Sequence, residues 1–322
     1  MRYLVRRLLH SLGLLLAVSL LSFLFADLVP GDFYSVLRAD PRVTGATIDA
    51  LRARAGLNRP FAVRYGEWLV STLKGDFGYS LAYNGPVAPL LWPRVEATLL
   101  LAGIATLLTW ALAIPLGVWN ATVRGTWRDR AARLVWSLLL SVPDLLLALL
   151  FLILAVESGW FPVGGAVSRG FSSMTSMERA RDAAWHMALP VALLVLGMLP
   201  VLVRHIRAAM IEQMESPFAR NARALGIPRG RLLFRHVLPA AAHPLIALFG
   251  FSLGSLLSAG LLVEVVMGWP GVGPLFLEAI LARDFAVVLA VVMVSTALLL
   301  AGNLAADLLL YRLDPRIRSS PL

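Results

Sequence analysis

The amino-acid sequence predicts an all-α protein that crosses a membrane six times, and three observations lead to this fold class. Hydrophobic residues make up 59% of the 322 residues and charged residues only 15%, too few to cover so apolar a chain in water. The mean hydropathy is +0.77. Six stretches that lack charged residues, one aspartate excepted, reach the length that a bilayer core of about 30 Å requires. In lipid they must be helical, because no water satisfies their backbone groups.

The first predicted span is residues 8–26, which follow Arg2, Arg6 and Arg7. Basic residues before an apolar run also open a signal peptide, but this run exceeds the usual length of about 7 to 15 residues and no A-x-A site follows it. We therefore favour an uncleaved membrane anchor. The later spans are predicted at residues 97–123, 134–156, 183–203, 237–263 and 285–306.

The segment between the first two spans contains two short helical patterns. Residues 47–55 end before Gly56, and residues 62–73 place Trp68 and Leu69 on an apolar side. Glycines and prolines then mark a turn-rich stretch. The predicted division of the chain is a transmembrane helix in 1–29, an extracytoplasmic segment with short helices in 30–94, a five-helix transmembrane domain in 95–311 and a tail in 312–322.

The arginines predict how the chain is oriented in the membrane. They concentrate near both termini and in the loops that follow the second and fourth spans. The two short loops on the other side hold only Arg169, Arg179, Arg181 and Arg283. Short loops rich in basic residues remain in the cytoplasm, so both termini are predicted to be cytoplasmic. The 30–94 segment also carries basic residues, but long loops translocate largely regardless of charge.

Missing residue types restrict the chemistry of the chain. Lys74 is the only lysine, and Leu73 precedes it, so the sequence lacks the Gly-Lys-Ser/Thr of a P-loop. There is no cysteine, hence no disulfide and no Cys-based metal site. The net charge of +10 is divided among loops rather than gathered on a nucleic-acid-binding face. We therefore predict that the chain holds no cofactor or metal, is not an enzyme and binds no nucleic acid.

The loop after the fourth span is the most informative stretch. Ser216 can cap a helix that has Pro217 at its first position, where the missing N–H costs nothing. Gly226 suits the left-handed position after a helix, and Pro228 prevents the helix from continuing. The sequence predicts a bounded helix over residues 217–225.

One face of this short helix is apolar and its flank is basic. Phe218, Ala222 and Leu225 share the apolar face, whereas Arg220 and Arg223 lie off it. A helix this short is marginal alone, so the pattern is typical of an apolar knob docked in a groove of a partner protein. The alternative is a solvated inner loop whose arginines only fix the topology, and the loop itself does not decide between them.

The same loop resembles the EAA motif of ABC importer permeases. Ala222, Gly226, Leu238 and Pro239 match that motif at the right spacing, although Arg220 replaces its glutamate, Asn221 its first alanine and His236 its isoleucine. The longer form over residues 218–226, followed by Arg235, His236 and Pro244, is similar to the dipeptide/oligopeptide/nickel permease family.

Three other stretches resemble that family, in the right order and over nearly the whole chain. They are the opening residues 2–8 with 29–32, the outer residues 56–60 with 75–80, and the late residues 263–266, 269–273, 282–285 and 313–318. The departures fall mainly in the loop helix, where Pro217 replaces an acidic residue and Leu225 a lysine. They bear on the docking contacts more than on the family.

The resemblance implies a type I ABC importer permease fold in a bacterial inner membrane and the first, or B-type, permease of its system. Its partners would be a second homologous permease, one or two ABC ATPase subunits that hold ATP and Mg²⁺, and an extracytoplasmic solute-binding protein. The bilayer surrounds the spans. The residues implied in coupling to the ATPase are Phe218, Arg220, Ala222, Arg223, Leu225 and Gly226.

Polar residues inside the spans are candidates for the translocation pathway. Asp144 lies near the middle of the third span, where it could attract a cationic or peptide-amine substrate. It could also pair with an arginine or cap a break at Pro143. Ser252, Ser255 and Ser258 recur every three residues in the fifth span, where small residues mark either close helix packing or a lumen.

Two other functions compete with an ABC importer of peptides or similar small solutes. A secondary transporter or channel would need no ATPase, but no inverted repeat is visible in the sequence. A membrane-embedded enzyme would need converging histidines or carboxylates, which do not stand out in any span.

Overall fold

The computed structural model describes residues 2–29, 44–54, 56 and 58–313. The predicted tail after residue 313, residues 30–43 of the outer segment and the motif residues 30–32 and 314–318 lie outside the described part. The helices are, in chain order, α1 (Arg2–Leu28), α2 (Gly45–Arg54), α3 (Phe61–Leu73), α4 (Val87–Thr122), α5 (Trp127–Ser141), α6 (Asp144–Ser158), α7 (Ser176–Glu215), α8 (Pro217–Ala224), α9 (Arg229–Leu232), α10 (Leu238–Val266), α11 (Val272–Leu281) and α12 (Phe285–Leu313).

Four shorter elements complete the described fold. A 3-10 turn covers Phe171–Ser173, and a π-helical segment, Leu233–Val237, joins α9 to α10. Strands β1 (Tyr79–Ser80) and β2 (Gly85–Pro86) pair antiparallel in a small hairpin, with Tyr79 opposite Pro86 and Ser80 opposite Gly85.

The long apolar helices confirm the all-α fold, with one refinement of the predicted spans. Five described helices are long and apolar enough to cross a membrane, and α5 with α6 are so only as a pair bent by 91°, which has the form of a broken span or a re-entrant loop. The sequence predicted a span over 134–156 and left open a break at Pro143 within it. The helix breaks because Pro143 has no N–H and forces Val142 into an extended conformation, with φ −84° and ψ 119°.

The chain divides into two compact units, Met1–Thr98 with Pro270–Leu300 and Leu99–Trp269 with Ala301–Leu322. In the first unit, an aromatic cluster joins α1 to α3. Phe23 of α1 lies between Phe61, Tyr65 and Trp68, with ring centroids about 5.5 Å apart, and the hydroxyls of Ser19 and Tyr65 are 2.8 Å apart. The predicted amphipathic helix over 62–73 is thereby confirmed.

The second unit is built around α7. This helix is 72% buried along its most apolar stretch, compared with 33% or less for the other single-helix spans, and its most extensive packing is against α10. A capping box of Thr175 and Glu178 fixes its start. It remains helical through Pro190 and Pro200, so one continuous rod leads from the loop that ends at Thr175 to α8.

Candidate functional site

The predicted helix in the inner loop forms with the predicted caps. The Ser216 hydroxyl accepts the N–H of Ala219, Pro217 occupies the first turn and Leu225 is the C-cap. Gly226 has φ +75°, the left-handed conformation that glycine adopts without strain. The helix ends one residue before the predicted 225. Its role in coupling stays a prediction.

The helix α8 is fixed to α7 on one side. Ala219 is completely buried and marks the face that packs on the protein. The Arg223 side chain folds back over the corner, where Nε donates to the Ala219 carbonyl at 3.3 Å and Nη2 donates to the Met214 carbonyl. This arginine therefore closes the turn between the two helices.

The outward side of α8 presents apolar side chains. Phe218 is 41% exposed and Leu225 82% exposed, while Ala222 is half-buried and Arg220 is exposed. Large apolar side chains at the tip of a charged loop lose contact with water only if another surface covers them. Together with Arg223 and Gly226, these are the six residues that the sequence singled out for coupling.

A buried ion pair that the sequence analysis missed lies next to this loop. Asp129, in the first turn of α5, is 2% exposed. Its Oδ1 accepts from Arg207 of α7 at 2.9 Å, through Nη2, and at 3.2 Å, through Nε. Its Oδ2 accepts the N–H of Gly125 at 3.1 Å, and Arg133 lies 3.6 Å away. We call Asp129, Arg207 and Gly125 the inner brace.

The inner brace keeps Asp129 ionised. Asp129 lies in the charged first turn of α5, ahead of the apolar stretch 134–156 that was predicted to span the membrane. Burial disfavours its charged form, but the Gly125 N–H and the Arg207 guanidinium outweigh that effect and lower the pKa of Asp129 below its ordinary value. The brace is therefore a fully charged pair at neutral pH.

Two more contacts link the α4–α5 loop to the region of α8. Arg124 pairs with Glu215, the last residue of α7, and Arg229, just beyond α8, donates to the Thr122 carbonyl at 3.2 Å. The sequence analysis used these arginines only for topology. Their partners are far away in sequence, so no local pattern indicates the pairs.

Helices α4 and α7 approach each other closely near the same end. A Cβ on Gly117 would lie 2.6 Å from Cγ2 of Ile206, the neighbour of Arg207. Asn120, one turn further along α4, is 1% exposed, and its amide atoms have no hydrogen-bond partner among the described residues. The inner end of α7 is thus held by close packing as well as by charge.

A cavity of about 200 Å³ lies in the apolar part of the second unit, at the break between α5 and α6. Asp144 and Ser255 line it together with side chains of α7 and α10. Ser252 does not line it, because its hydroxyl accepts the Trp110 Nε1–H at 2.9 Å and donates to the Phe249 carbonyl at 2.8 Å. Ser258 is exposed. The structure thus brings two of the four predicted pathway residues together.

Gly197 of α7 lies directly opposite the Asp144 carboxylate. A Cβ at this position would be 3.1 Å from Asp144 Oδ1, so any larger residue would press on the carboxylate. Among the described residues, none forms a hydrogen bond or ion pair with the Asp144 carboxylate. A second depression, of about 580 Å³, lies at the start of α7 beside Glu178, Arg181 and Trp185.

In the first unit, two motif stretches that are far apart in sequence meet. Asp284, 2% exposed, follows α11, and its Oδ2 accepts the Ser80 hydroxyl at 2.6 Å and the Ala82 N–H at 3.0 Å. Tyr83 donates to Glu278. Burial first, and then the Glu278 carboxylate, raise the pKa of Tyr83 to about 12. We call this set the outer clasp.

Comparison with known proteins adds independent evidence. The model described as "Binding-protein-dependent transport system inner membrane component" matches residues 113–319, and the corresponding N-terminal model matches residues 1–102. The oligopeptide transport system permease protein AppB of Bacillus subtilis is 34% identical over 98% of each chain. OppB of Mycobacterium tuberculosis, also named an oligopeptide transport system permease, is 31% identical over 99% of each chain.

A solved structure is also similar. The MetNI methionine ABC transporter in an inward-facing conformation matches with a TM-score of 0.57 at 18% identity, over 70% of this chain and 96% of that one. This likeness supports the type I ABC importer permease fold. With its apolar helices, the chain is a multi-pass protein of the cytoplasmic membrane. It belongs to the family of binding-protein-dependent transport system inner membrane components.

Proposed function

We propose that the chain is the membrane-spanning permease subunit of an ATP-driven importer for peptides or similar small solutes. It would work with a second homologous permease and with one or two ABC ATPase subunits that hold ATP and Mg²⁺. A solute-binding protein would deliver the substrate from outside. The relatives named as oligopeptide permeases, which match along nearly the whole chain, support the substrate class.

The observation that carries the coupling role is the geometry of α8. It is a short helix, closed at both ends, that buries Ala219 against its own chain and exposes Phe218 and Leu225. Such a helix presents an aliphatic and an aromatic anchor to a groove. We propose that this groove belongs to the ATPase, and that Arg220 lies at its rim.

The contacts around α8 suggest how its movement would reach the membrane. Arg223 ties α8 to the end of α7, and the inner brace ties α7 to α5. Because α7 is continuous up to the outer loop, a displacement of α8 shifts α7 as a rod rather than bending a flexible linker. Residues of α7 line the cavity that contains Asp144, so the same displacement changes the cavity.

We place the translocation pathway along this cavity. Asp144 and Ser255 support the placement because they line the cavity. Ser252 does not line the cavity and would instead position α10 through its hydrogen bond to Trp110. Ser258 would belong to the exposed face of α10 that meets the second permease. In this arrangement, conformational change alternately opens the cavity to either side.

The coupling role is tested with single substitutions in the complete transporter. Phe218→Asp adds a charge to the apolar knob, and we expect it to abolish ATP-dependent peptide uptake and co-purification of the ATPase while membrane insertion stays normal. Gly226→Pro, which cannot adopt a positive φ, should act in the same way. Ala224→Asp is the matched control, since it adds the same charge to an exposed position on another side of α8.

Two results would contradict the proposal. Normal uptake in Phe218→Asp would remove the coupling role from α8. Uptake by the chain without any ATPase, driven by a proton or sodium gradient, would instead indicate a secondary transporter.

A further inference from the structure

The Asp144 carboxylate, on an exposed residue, has surroundings that differ from those of the buried Asp129 and Asp284. It belongs to the first residue of α6, at the 91° break of the third span. The cavity beside it is lined, apart from Ser255, by glycine, alanine and apolar side chains such as Leu193, Met198 and Phe251. A single acid thus faces an apolar chamber inside the membrane-spanning part.

A structural role accounts for only part of this arrangement. An acid in the first turn of a helix is stabilised by the helix dipole, and Asp144 satisfies that rule. The rule does not require a cavity. The cavity is nevertheless open at this point because residue 197 is a glycine. A Cβ there would lie only 3.1 Å from Asp144 Oδ1, so a larger side chain would fill the space beside the carboxylate. The cavity volume of about 200 Å³ is also far larger than one water molecule needs.

The chemistry of the lining decides what fits the cavity. A lipid tail or an apolar helix from a partner would leave the carboxylate without a counter-charge in a medium of low polarity, which is costly. A divalent metal needs about six oxygen ligands, and one carboxylate with one serine hydroxyl supplies too few. An ammonium group has three N–H donors and one charge. It matches Asp144 and Ser255 and leaves the apolar walls for the rest of the substrate.

We propose that Asp144, with Ser255, forms a subsite for a protonated side-chain amine of a substrate passing through the permease, so that the membrane subunit itself favours substrates with a cationic side chain. This inference rests on the proposed import function and adds charge selectivity to it. In this view the solute-binding protein selects first, and Asp144 selects again inside the membrane.

The test compares peptides of equal length and different charge. The complete transporter, with its binding protein and ATPase, takes up Ala-Lys-Ala or Ala-Glu-Ala, and the ratio of the two initial rates is measured for wild type, Asp144→Asn and Asp144→Glu. Dividing each variant's ratio by the wild-type ratio cancels the preference of the binding protein, which is the same in all three. We expect a fall of about tenfold in Asp144→Asn, the size expected for one hydrogen bond to a charged group. Asp144→Glu should keep the ratio within about twofold.

The outcomes separate this inference from the proposed function. A role in starting α6 would lower both rates equally and leave the ratio unchanged, which would overturn the subsite. Loss of the second permease from purified Asp144→Asn complexes would also overturn it, since the cavity would then be a subunit interface. If wild type takes up neither peptide in an ATP-dependent way, the import function itself fails.

Discussion

Two buried aspartates, one in each unit of the chain, are held in different ways. Asp129 and Asp284 are both 2% exposed. Asp129 accepts from a guanidinium and one backbone N–H. In the hydrogen bonds described above, Asp284 accepts from a hydroxyl and a backbone N–H, which are uncharged donors. The inner brace thus joins two helices through opposite charges, whereas the outer clasp joins a hairpin to a helix start through dipoles.

This difference predicts how much stability each region loses when one of its contacts is removed. Removing one member of a buried ion pair leaves a charge without compensation, whereas removing one of several neutral donors leaves the carboxylate partly satisfied. The inner brace lies on the proposed route from α8 to the cavity, where a rigid link is needed. The outer clasp holds a two-stranded hairpin, which can open at a lower cost.

The largest expected effect is on the inner brace. Arg207→Met removes the hydrogen-bonded counter-charge of the buried Asp129 carboxylate and leaves it only Arg133 at 3.6 Å, so the free energy of unfolding should fall by about 3 kcal/mol, the lower end of the range for breaking a buried ion pair. Thermal unfolding of the purified chain in detergent measures this loss. The double variant Asp129→Asn with Arg207→Met, which buries no charge, should recover much of it.

A different outcome in the double variant would remove the contrast between the two regions. If the double variant loses as much free energy of unfolding as Asp129→Asn and Arg207→Met lose together as single variants, the pair contributes no coupling energy. The inner brace would then act through packing and the Gly125 N–H, as the outer clasp does through neutral donors.

A smaller effect is expected where α4 and α7 touch. Gly117→Ala places a methyl group 2.6 Å from Ile206 Cγ2, and overpacking of this kind costs about 1 to 3 kcal/mol. Gly103→Ala on the same helix is the matched control, because no atom lies within 4 Å of its Cβ. It should be neutral or stabilising by up to about 1 kcal/mol. Equal losses in both variants would show that the close approach near the brace does not hold α7.

Local chemistry explains which parts of the fold could be predicted from the sequence. The caps of α8 were predicted residue by residue, because Ser216, Pro217 and Gly226 act on the backbone within one turn. The spans were predicted from composition, which counts apolar residues but does not detect bends. Composition therefore left the break at Pro143 as one alternative, and the structure decides for it.

The candidate site shows where sequence patterns become insufficient. Serines at every third position advance by about 300° per step around an α-helix, so Ser252, Ser255 and Ser258 drift across roughly a third of the circumference. This is why one bonds Trp110, one lines the cavity and one is exposed. The partners Asp129 and Arg207 are brought together only by the packing of α5 on α7, which no local pattern encodes.

The smallest expected effect concerns the outer clasp at high pH. In the folded protein the pKa of Tyr83 is raised from 10.0 to about 12, so the folded state binds this proton more tightly than the unfolded state. The stability that the protonated phenol contributes is therefore complete below about pH 10 and is lost as the pH rises towards 12. Tyr83→Phe has no proton to lose, and its unfolding temperature should decline less between these pH values.

Tyr79→Phe is the control in the same hairpin, because the Tyr79 hydroxyl donates to Asn84 at 2.6 Å rather than to a carboxylate. A decline that is equal in wild type and Tyr83→Phe would mean that the hydrogen bond to Glu278 does not hold the hairpin, and that Asp284 holds it through Ser80 and Ala82.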